Sequence, residues 1–247
     1  MNKLPLVVLA GASVMAVICA TQSASADQLS EMAALKKACS GGSGQAQIND
    51  CTRMIQSKFF KDAPVLSEAF FFRGGGYFRL GQYQRAVDDN TQTIVRNPNF
   101  VSAYFARGLA YLFLQQPQPA LQDFSKVIAL KPKPEAVDFT SRAITYSQLK
   151  QYKQAILDFD RGIALEPSSV TYGNRGYCYF QLGQFKRAIE DYDRAIVLTP
   201  GSAGVLYMRG VAKLRSEDKL GGNADIAAAV ALEPKIAEQY AAAGVKP

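Results

Sequence analysis

Prolines recur at a nearly constant interval along this 247-residue chain. They stand at positions 98, 132, 167, 200 and 234, so the successive spacings are 34, 35, 33 and 34. Four of them end closely similar segments, which are Ile128–Pro132, Ile163–Pro167, Ile196–Pro200 and Val230–Pro234. A fixed period of about 20 to 50 residues is the signature of a stacked array of structural repeats.

Each period contains two helical patterns joined by a turn. The first carries an arginine followed by a small residue, at Arg73-Gly74, Arg107-Gly108, Arg142-Ala143, Arg175-Gly176 and Arg209-Gly210. The second carries an alanine at an equivalent position, at Ala86, Ala120, Ala155 and Ala188. Small residues let paired helices approach closely, and the closing proline ends the second helix because it has no backbone N–H to donate.

This arrangement resembles the tetratricopeptide repeat family, whose unit is a helix–turn–helix of about 34 residues. The resemblance implies an all-α fold, a right-handed α-solenoid of stacked units in which no unit buries its face alone. It covers five units, which span residues 67–100, 101–135, 136–168, 169–202 and 203–236. We expect residues 27–66 to form an N-terminal helical half-repeat or cap and residues 237–247 a C-terminal cap.

Three consecutive glycines, Gly74-Gly75-Gly76, fall inside the first predicted helix of the first unit. Each costs about 1 kcal/mol relative to alanine in a helix interior. Two interpretations remain open at this point. The glycines either permit tight packing against neighbouring helices or mark a hinge or a site of close backbone approach.

An aspartate stands at position i+16 relative to each of the repeated arginines. The pairs are Arg73–Asp89, Arg107–Asp123, Arg142–Asp158, Arg175–Asp191 and Arg209–Asp225. In an antiparallel helix pair with a short turn, this offset brings the two side chains together. We interpret the pairs as Arg–carboxylate bridges within the units; the alternative is a row of arginines that faces a ligand.

The segment 1–26 predicts a secretory signal peptide. Lys3 is the only charged residue before Asp27, residues 4–20 are almost wholly apolar or small, and a small-x-small pattern predicts cleavage after Ala26. The apolar run is at the short limit for a membrane span. Lipidation at Cys19 is disfavoured because the bulky Ile18 precedes it. We therefore expect an exported, periplasmic protein with no stable membrane span after processing.

Cys39 and Cys51 flank a glycine-rich turn on two opposing predicted helices. Export favours a disulfide between them. A metal site is the alternative, but the chain has no histidine and no further cysteine nearby to complete a zinc site. Cys178 then remains as a single thiol, which we interpret as a small core residue.

Enzyme activity is not expected from this composition. The absence of histidine excludes Ser-His-Asp and Cys-His triads. The acidic pairs Asp158/Asp160 and Asp191/Asp193 are two positions apart and do not share a helix face. We predict no catalytic residue, no metal and no cofactor. The net charge of +7, or 27 − 21 = +6 without Lys3, is spread along the chain, so we expect no nucleic-acid partner.

The family resemblance further implies a concave groove lined by the first helices, which binds extended peptides or partner helices. Carried onto this sequence, the groove consists of Phe71, Phe78, Phe105, Leu109, Leu112, Ile144, Asn174, Tyr177, Phe180, Tyr207 and Val211. Some family members hold a terminal carboxylate with Lys and Asn side chains, and only Asn174 matches that pattern. The N-terminal helix, the C-terminal cap or a second protomer could cover part of this row.

These observations together predict a non-enzymatic protein–protein interaction module. The expected ligand is a hydrophobic peptide or an amphipathic helix, held by aromatic anchors. We expect an exported adaptor or scaffold. The alternative is a self-associating structural component of a cell-envelope assembly, because a terminal repeat can stack on another copy.

Overall fold

The computed structural model describes residues 26–57, 60 and 62–245, and this part of the chain contains helices and no strand. The helices are α1 (Ala26–Gly41), α2 (Gly44–Gln56), α3 (Ala63–Arg79), α4 (Tyr83–Arg96), α5 (Val101–Phe113), α6 (Pro117–Leu130), α7 (Ala136–Gln148), α8 (Tyr152–Leu165), α9 (Ser169–Gln181), α10 (Phe185–Leu198), α11 (Ala203–Arg215), α12 (Lys219–Leu232) and α13 (Ile236–Ala242). The predicted signal peptide, with Cys19, lies outside the described residues except for Ala26.

Each helix packs against the next one along the chain, and the closest partners are α3–α4, α5–α6, α7–α8, α9–α10 and α11–α12. We call these pairs repeats one to five and their members the first and second helices. The pair α1–α2 precedes them and α13 follows them. The predicted all-α solenoid of stacked helix–turn–helix units is confirmed.

The turn inside each repeat has a residue in the left-handed region of backbone space. These residues are Gly81 (φ 71°), Gln115 (57°), Lys150 (58°), Gly183 (72°) and Glu217 (71°). This conformation costs a residue with a Cβ about 1 kcal/mol or more. Glycine therefore suits repeats one and four, and the other three repeats tolerate the cost.

The first helices lie on the inner side of the solenoid. Helix α3 contacts α5, α7 contacts α9, and α9 contacts α11, whereas the second helices within the described residues do not contact one another to that extent. Such contacts between alternate helices occur on one side of the solenoid. The solenoid therefore curves with its smaller radius on that side. The first helices therefore form the concave face.

The three consecutive glycines lie in α3, which continues unbroken to Arg79. A Cβ on Gly74 would lie 3.0 Å from the Nδ2 atom of Asn90 on α4, and a Cβ on Gly76 would lie 2.9 Å from the Cγ1 atom of Ile48 on α2. Two of the glycines thus let helices on two sides approach α3 closely. This geometry favours the packing interpretation over a hinge.

Candidate functional site

Most of the predicted groove residues form one row on the concave face, which we call the inner row. The row runs along α3, α5, α7 and α9, and its side chains are all half-buried. Its members are Phe71, Phe78, Phe105, Leu109, Leu112, Ile144, Asn174, Tyr177 and Phe180. Half-buried apolar side chains pack against the protein at their base, and their outer ends remain exposed for a partner to cover.

The last two predicted groove residues, Tyr207 and Val211, are 0% exposed. Helix α13 covers them: the rings of Tyr207 and Tyr240 stack at 4.9 Å between centroids, and Ile236 is buried in the same cluster. These two positions therefore belong to the core beneath α13 and not to the open surface. The open inner row ends at repeat four.

Aromatic rings support the N-terminal half of the inner row. Tyr83 and Phe113 stack at 4.7 Å between centroids, and each lies 5.3 Å from Phe78. Phe113, the last residue of α5, is 57% exposed and was missed by sequence reasoning. Its position next to Leu112 was the available signal. Rings held by one another present a surface at low cost in side-chain entropy.

A cavity of about 510 Å³ opens between α9, α11 and α13, and we call it the α9–α11 cavity. Its walls combine glycines, aliphatic side chains, tyrosines, an asparagine and two serines, and no charged side chain lines it. The lining residues are Ser169, Val170, Gly173, Asn174, Tyr177, Tyr192, Ser202, Gly204, Val205, Met208 and Tyr240. The Nδ2 atom of Asn174 donates to the carbonyl oxygen of Val170 at 2.8 Å.

The structure brings together every arginine and aspartate of the repeated pairs. In each pair, Nε and Nη2 of the arginine donate to the two carboxylate oxygens at 2.6 to 2.9 Å. The aspartates are 2% to 7% exposed. Because the arginines are engaged inside the repeats in this bidentate way, the geometry favours bridges over a row that faces a ligand.

Four of these arginines also bind the preceding helix pair through Nη1. Arg73 donates to Thr52 at 3.1 Å, Arg107 to Thr91 at 3.0 Å, Arg175 to Asp160 at 2.5 Å, and Arg209 to Asp193 at 2.7 Å. Within the described residues Arg142 makes no such bond. Sequence reasoning considered Asp160 and Asp193 only as acid/base candidates and missed this role. The signal was a polar residue two places after each position equivalent to the paired aspartate.

The pKa values of four of these carboxylates shift in two different directions. Burial raises the pKa of Asp89, Asp123 and Asp191, and the hydrogen bonds from their arginines only partly offset it. Burial opposes ionisation of Asp225 too, but hydrogen bonds from Arg209 and Lys213 outweigh it and lower its pKa. The Nζ atom of Lys213 lies 2.8 Å from Oδ2 of Asp225.

The cysteines occupy two separate places. A disulfide joins Cys39 on α1 to Cys51 on α2. Cys178 is a buried free thiol whose Sγ donates to the Ser147 hydroxyl at 3.6 Å, and burial raises its pKa to about 11. Cys178 is therefore a protonated core residue at neutral pH.

The described part of the chain contains no group of histidine, cysteine and acidic side chains able to hold a metal ion. None of its helices combines the length and the apolar composition needed to cross a bilayer.

Comparison with known proteins identifies the repeat. One tetratricopeptide repeat model matches residues 101–134 and 140–169, and a second one matches residues 169–202. No curated protein matches the chain. Among solved structures, MamA (41-end) from Desulfovibrio magneticus RS-1 is similar at 20% identity and a TM-score of 0.64, over 68% of this chain and 96% of that one.

Two other solved structures share the fold. YrrB, described as a TPR protein with an unusual peptide-binding site, has 16% identity and a TM-score of 0.63, over 79% of this chain and 98% of its own. A tetratricopeptide repeat protein from Parabacteroides merdae has 24% identity and a TM-score of 0.55, over 76% and 72%. From its repeat period, its stacked helix pairs and the models matching repeats two to four, the chain belongs to the tetratricopeptide repeat family.

Proposed function

We propose that this protein is an exported, non-enzymatic adaptor or scaffold that binds a peptide or a partner helix along the inner row. Solenoids of this kind use extended concave surfaces for binding. The observation that carries the proposal is the inner row itself, where half-buried apolar and aromatic side chains continue through four successive repeats.

The composition of the inner row favours an apolar ligand. Asn174 is its one amide, and that amide donates to the backbone of its own helix. The arginines of the first helices are engaged with buried aspartates, so they do not offer a charged surface for a terminal carboxylate. An amphipathic helix or an extended hydrophobic peptide would bury its apolar side chains against the row.

Export is supported by the signal-like segment 1–26 and by the disulfide between Cys39 and Cys51, since such bonds persist in oxidising compartments. Expression with the native leader should yield a periplasmic protein whose N-terminal residue is Asp27. Recovery of the uncleaved chain from the cytoplasmic fraction would contradict this part of the proposal.

Site-specific photo-crosslinking tests the groove. A photoreactive phenylalanine analogue placed at Leu109 or at Tyr177 should capture a protein from envelope extract. The control positions are Leu157 and Val197, which are 62% and 76% exposed on second helices and thus outside the concave face. Capture that is equal at all four positions, or confined to the controls, would refute groove binding.

Self-association is a second candidate, favoured by the outer face of α12. Leu220 is 86% exposed and Leu232 is 55% exposed, and Ala224, Ala228 and Ala231 are exposed between them. A second copy could stack there as the next repeat would. Light scattering over a concentration series should then show a dimer that Ala228→Glu abolishes; a monomer throughout would exclude it.

A further inference from the structure

The positive charge of the chain is concentrated around the turns inside the repeats. Each turn and the four residues on either side of it form one segment, and the five segments are 76–86, 110–120, 145–155, 178–188 and 212–222. Together they contain nine basic and two acidic residues, which gives 9 − 2 = +7. The rest of the chain after residue 26 has 18 basic and 19 acidic residues, which gives 18 − 19 = −1. These segments therefore account for the whole positive charge.

The fold brings the five segments to one edge of the solenoid. Each helix packs against the next one and is joined to it by a short connection, so the chain direction alternates. The turns inside the repeats then lie at one edge, and the connections between repeats lie at the other. An opening of about 680 Å³ is lined by the turns of repeats four and five, and one of about 500 Å³ by those of repeats one and two. We call this side of the molecule the basic edge.

Four exposed lysines of the basic edge have no partner of their own. Within the described residues none of their amino groups makes a hydrogen bond or an ion pair. They are Lys150, Lys153, Lys186 and Lys219. The two acids of the edge, Glu217 and Asp218, both lie in the turn of repeat five, and Asp218 accepts a hydrogen bond from the backbone of Gly221. The edge therefore has more cations than its own acids neutralise.

The kind of cation favours a diffuse anionic surface over a protein partner. Lysine carries a strongly hydrated charge on a flexible stem, and lysines are depleted from protein–protein interfaces. Arginines suit such interfaces better, but Arg85 donates to Gln82 at 2.9 Å and Arg187 donates to Gln184 at 3.2 Å. Lysines close to a bilayer are attracted by anionic head groups without a fixed geometry.

Exposed leucines lie beside these charges. Leu220 follows Lys219 at the start of α12 and is 86% exposed, and Leu80 in the turn of repeat one is 44% exposed. Peripheral binding to a bilayer combines attraction to anionic lipids with burial of apolar side chains in the head-group region. The basic edge offers both contributions.

We propose that the basic edge binds the surface of a membrane that contains anionic phospholipids. The turns lie at the ends of the helices, whereas the inner row lies on the concave face. A protein attached by this edge therefore keeps its groove open to a partner. The proposal does not depend on the groove, and it adds a second binding surface to the proposed function.

Vesicle co-sedimentation of the purified protein without its leader tests the edge. The protein should pellet with vesicles of phosphatidylethanolamine and phosphatidylglycerol but not with vesicles of phosphatidylcholine, and about 0.5 M salt should release it. The edge variant is Lys150→Glu/Lys153→Glu/Lys186→Glu/Lys219→Glu. Its loss of four cations should weaken binding to the anionic vesicles by about 100-fold or more.

The matched control reverses four exposed cations outside the five segments, in Lys126→Glu/Lys133→Glu/Arg194→Glu/Lys235→Glu. Both variants have a net charge of 6 − 8 = −2, and within the described residues none of the eight replaced side chains makes a hydrogen bond or an ion pair. Both should unfold at nearly the same temperature, and the control should keep most of its vesicle binding. Equal weakening in the two variants, or equal binding of the two kinds of vesicle by the unmodified protein, would overturn the proposal.

Tryptophan fluorescence locates the contact, because the chain has no tryptophan of its own. The emission of Leu220→Trp should shift to shorter wavelength when anionic vesicles are added. Val197→Trp is the control, since Val197 is 76% exposed at the other end of a second helix, and its emission should not shift. Equal shifts, or no shift in either variant, would overturn the placement of the bilayer at this edge.

Two further comparisons separate the possible explanations. If poly-L-glutamate bound as tightly as the vesicles at the same concentration of negative charge, the partner would be an acidic polypeptide, which would overturn the lipid assignment. Photo-crosslinking at Leu109 depends on the groove, so the edge variant should keep that capture. If vesicle binding fails while capture persists, the basic edge fails and the proposed function stands; if capture alone fails, the reverse holds.

Discussion

The two ends of the solenoid are closed in different ways. At the N-terminal end, the Cys39–Cys51 disulfide joins α1 to α2 above a small core that contains Met54. At the C-terminal end, the short helix α13 lies against α11 and buries Tyr207 and Val211 by packing alone. An end repeat exposes a face that an interior repeat buries on its neighbour, so each end of such a stack needs a cap.

The difference between the ends bears on the site. The N-terminal cap packs α2 and α1 against α3 and leaves Phe71 and Phe78 half-buried. The C-terminal cap instead uses the concave face and removes the fifth repeat from the inner row. The cap therefore sets where the groove ends, and Tyr240 of α13 becomes a wall of the α9–α11 cavity.

Removing α13 should have the largest effect on stability. Ending the chain after Pro234 deletes the buried Ile236 and Val245 and the half-buried Tyr240, and we expect a loss of about 5 kcal/mol in the free energy of unfolding. Hydrogen exchange should show α11 and α12 losing protection first. Glu238→Ala, at an exposed position of α13, is the control and should change little. Unchanged protection in α11 after truncation would refute the capping role.

Removing an arginine should affect the two end repeats unequally. Arg73→Ala leaves the buried Asp89 with no cation and should cost about 4 kcal/mol, as expected for a broken buried pair. Arg209→Ala should cost less, because Lys213 still binds Asp225. Urea unfolding of both variants measures the difference. Equal losses would mean that Lys213 does not compensate.

The disulfide should contribute about 3 kcal/mol, from the chain entropy of a closed loop of this length. We therefore expect the double variant Cys39→Ser/Cys51→Ser to lose this amount in denaturant unfolding, with lost protection confined to α1 and α2. Thiol counting on the unfolded, unreduced protein without its leader should find one free thiol, Cys178. Finding three thiols would show that the bridge does not form.

The turns inside the repeats should give smaller effects of opposite sign at the two ends. Glu217→Gly should stabilise repeat five by about 0.5 to 1 kcal/mol, because glycine adopts a positive φ without strain. Gly81→Ala should destabilise repeat one by about 1 kcal/mol for the same reason. Thermal unfolding of both variants measures these changes. A loss in Glu217→Gly would mean that its side chain stabilises the turn.

Acid should produce the smallest difference between the ends. The pKa of Asp225 is lowered in the folded state, so its contribution is complete above the unfolded pKa and is lost as the pH falls through the folded one. The pKa of Asp89 is raised in the folded state. Its contribution to stability is therefore complete below the unfolded pKa and is lost as the pH rises through the folded pKa. Hydrogen exchange below pH 4 or so should therefore show repeat five loosening before repeat one. The reverse order would contradict these shifts.

Much of the fold could be predicted because its causes are local and periodic. The prolines end the second helices, and the offset of 16 residues between Arg73 and Asp89 follows from two helices and a short turn. The packing of α13 over Tyr207 could not be predicted from such a periodic pattern. It depends on the single seven-residue helix α13, which has no second copy in the sequence to compare.

The bonds between repeats were missed for a related reason. The spacing of two residues between Asp191 and Asp193 argues against a catalytic pair but gives no information about a partner on another helix. The partner of Asp193 is Arg209 in the following repeat, so its role depends on how repeats stack and not on the helix that carries it.

The arginines that bind two helix pairs bear on how the molecule unfolds. Each bond from a first helix to the preceding pair couples the folding of neighbours, and among the described residues this coupling is present at every junction except that before Arg142. The ion pair at that junction is instead made by Lys131, whose Nζ binds Asp138 at 2.8 Å and is partly open to solvent. We therefore expect the array to divide into two cooperative blocks, one through repeat two and one from repeat three, with a boundary that added salt weakens.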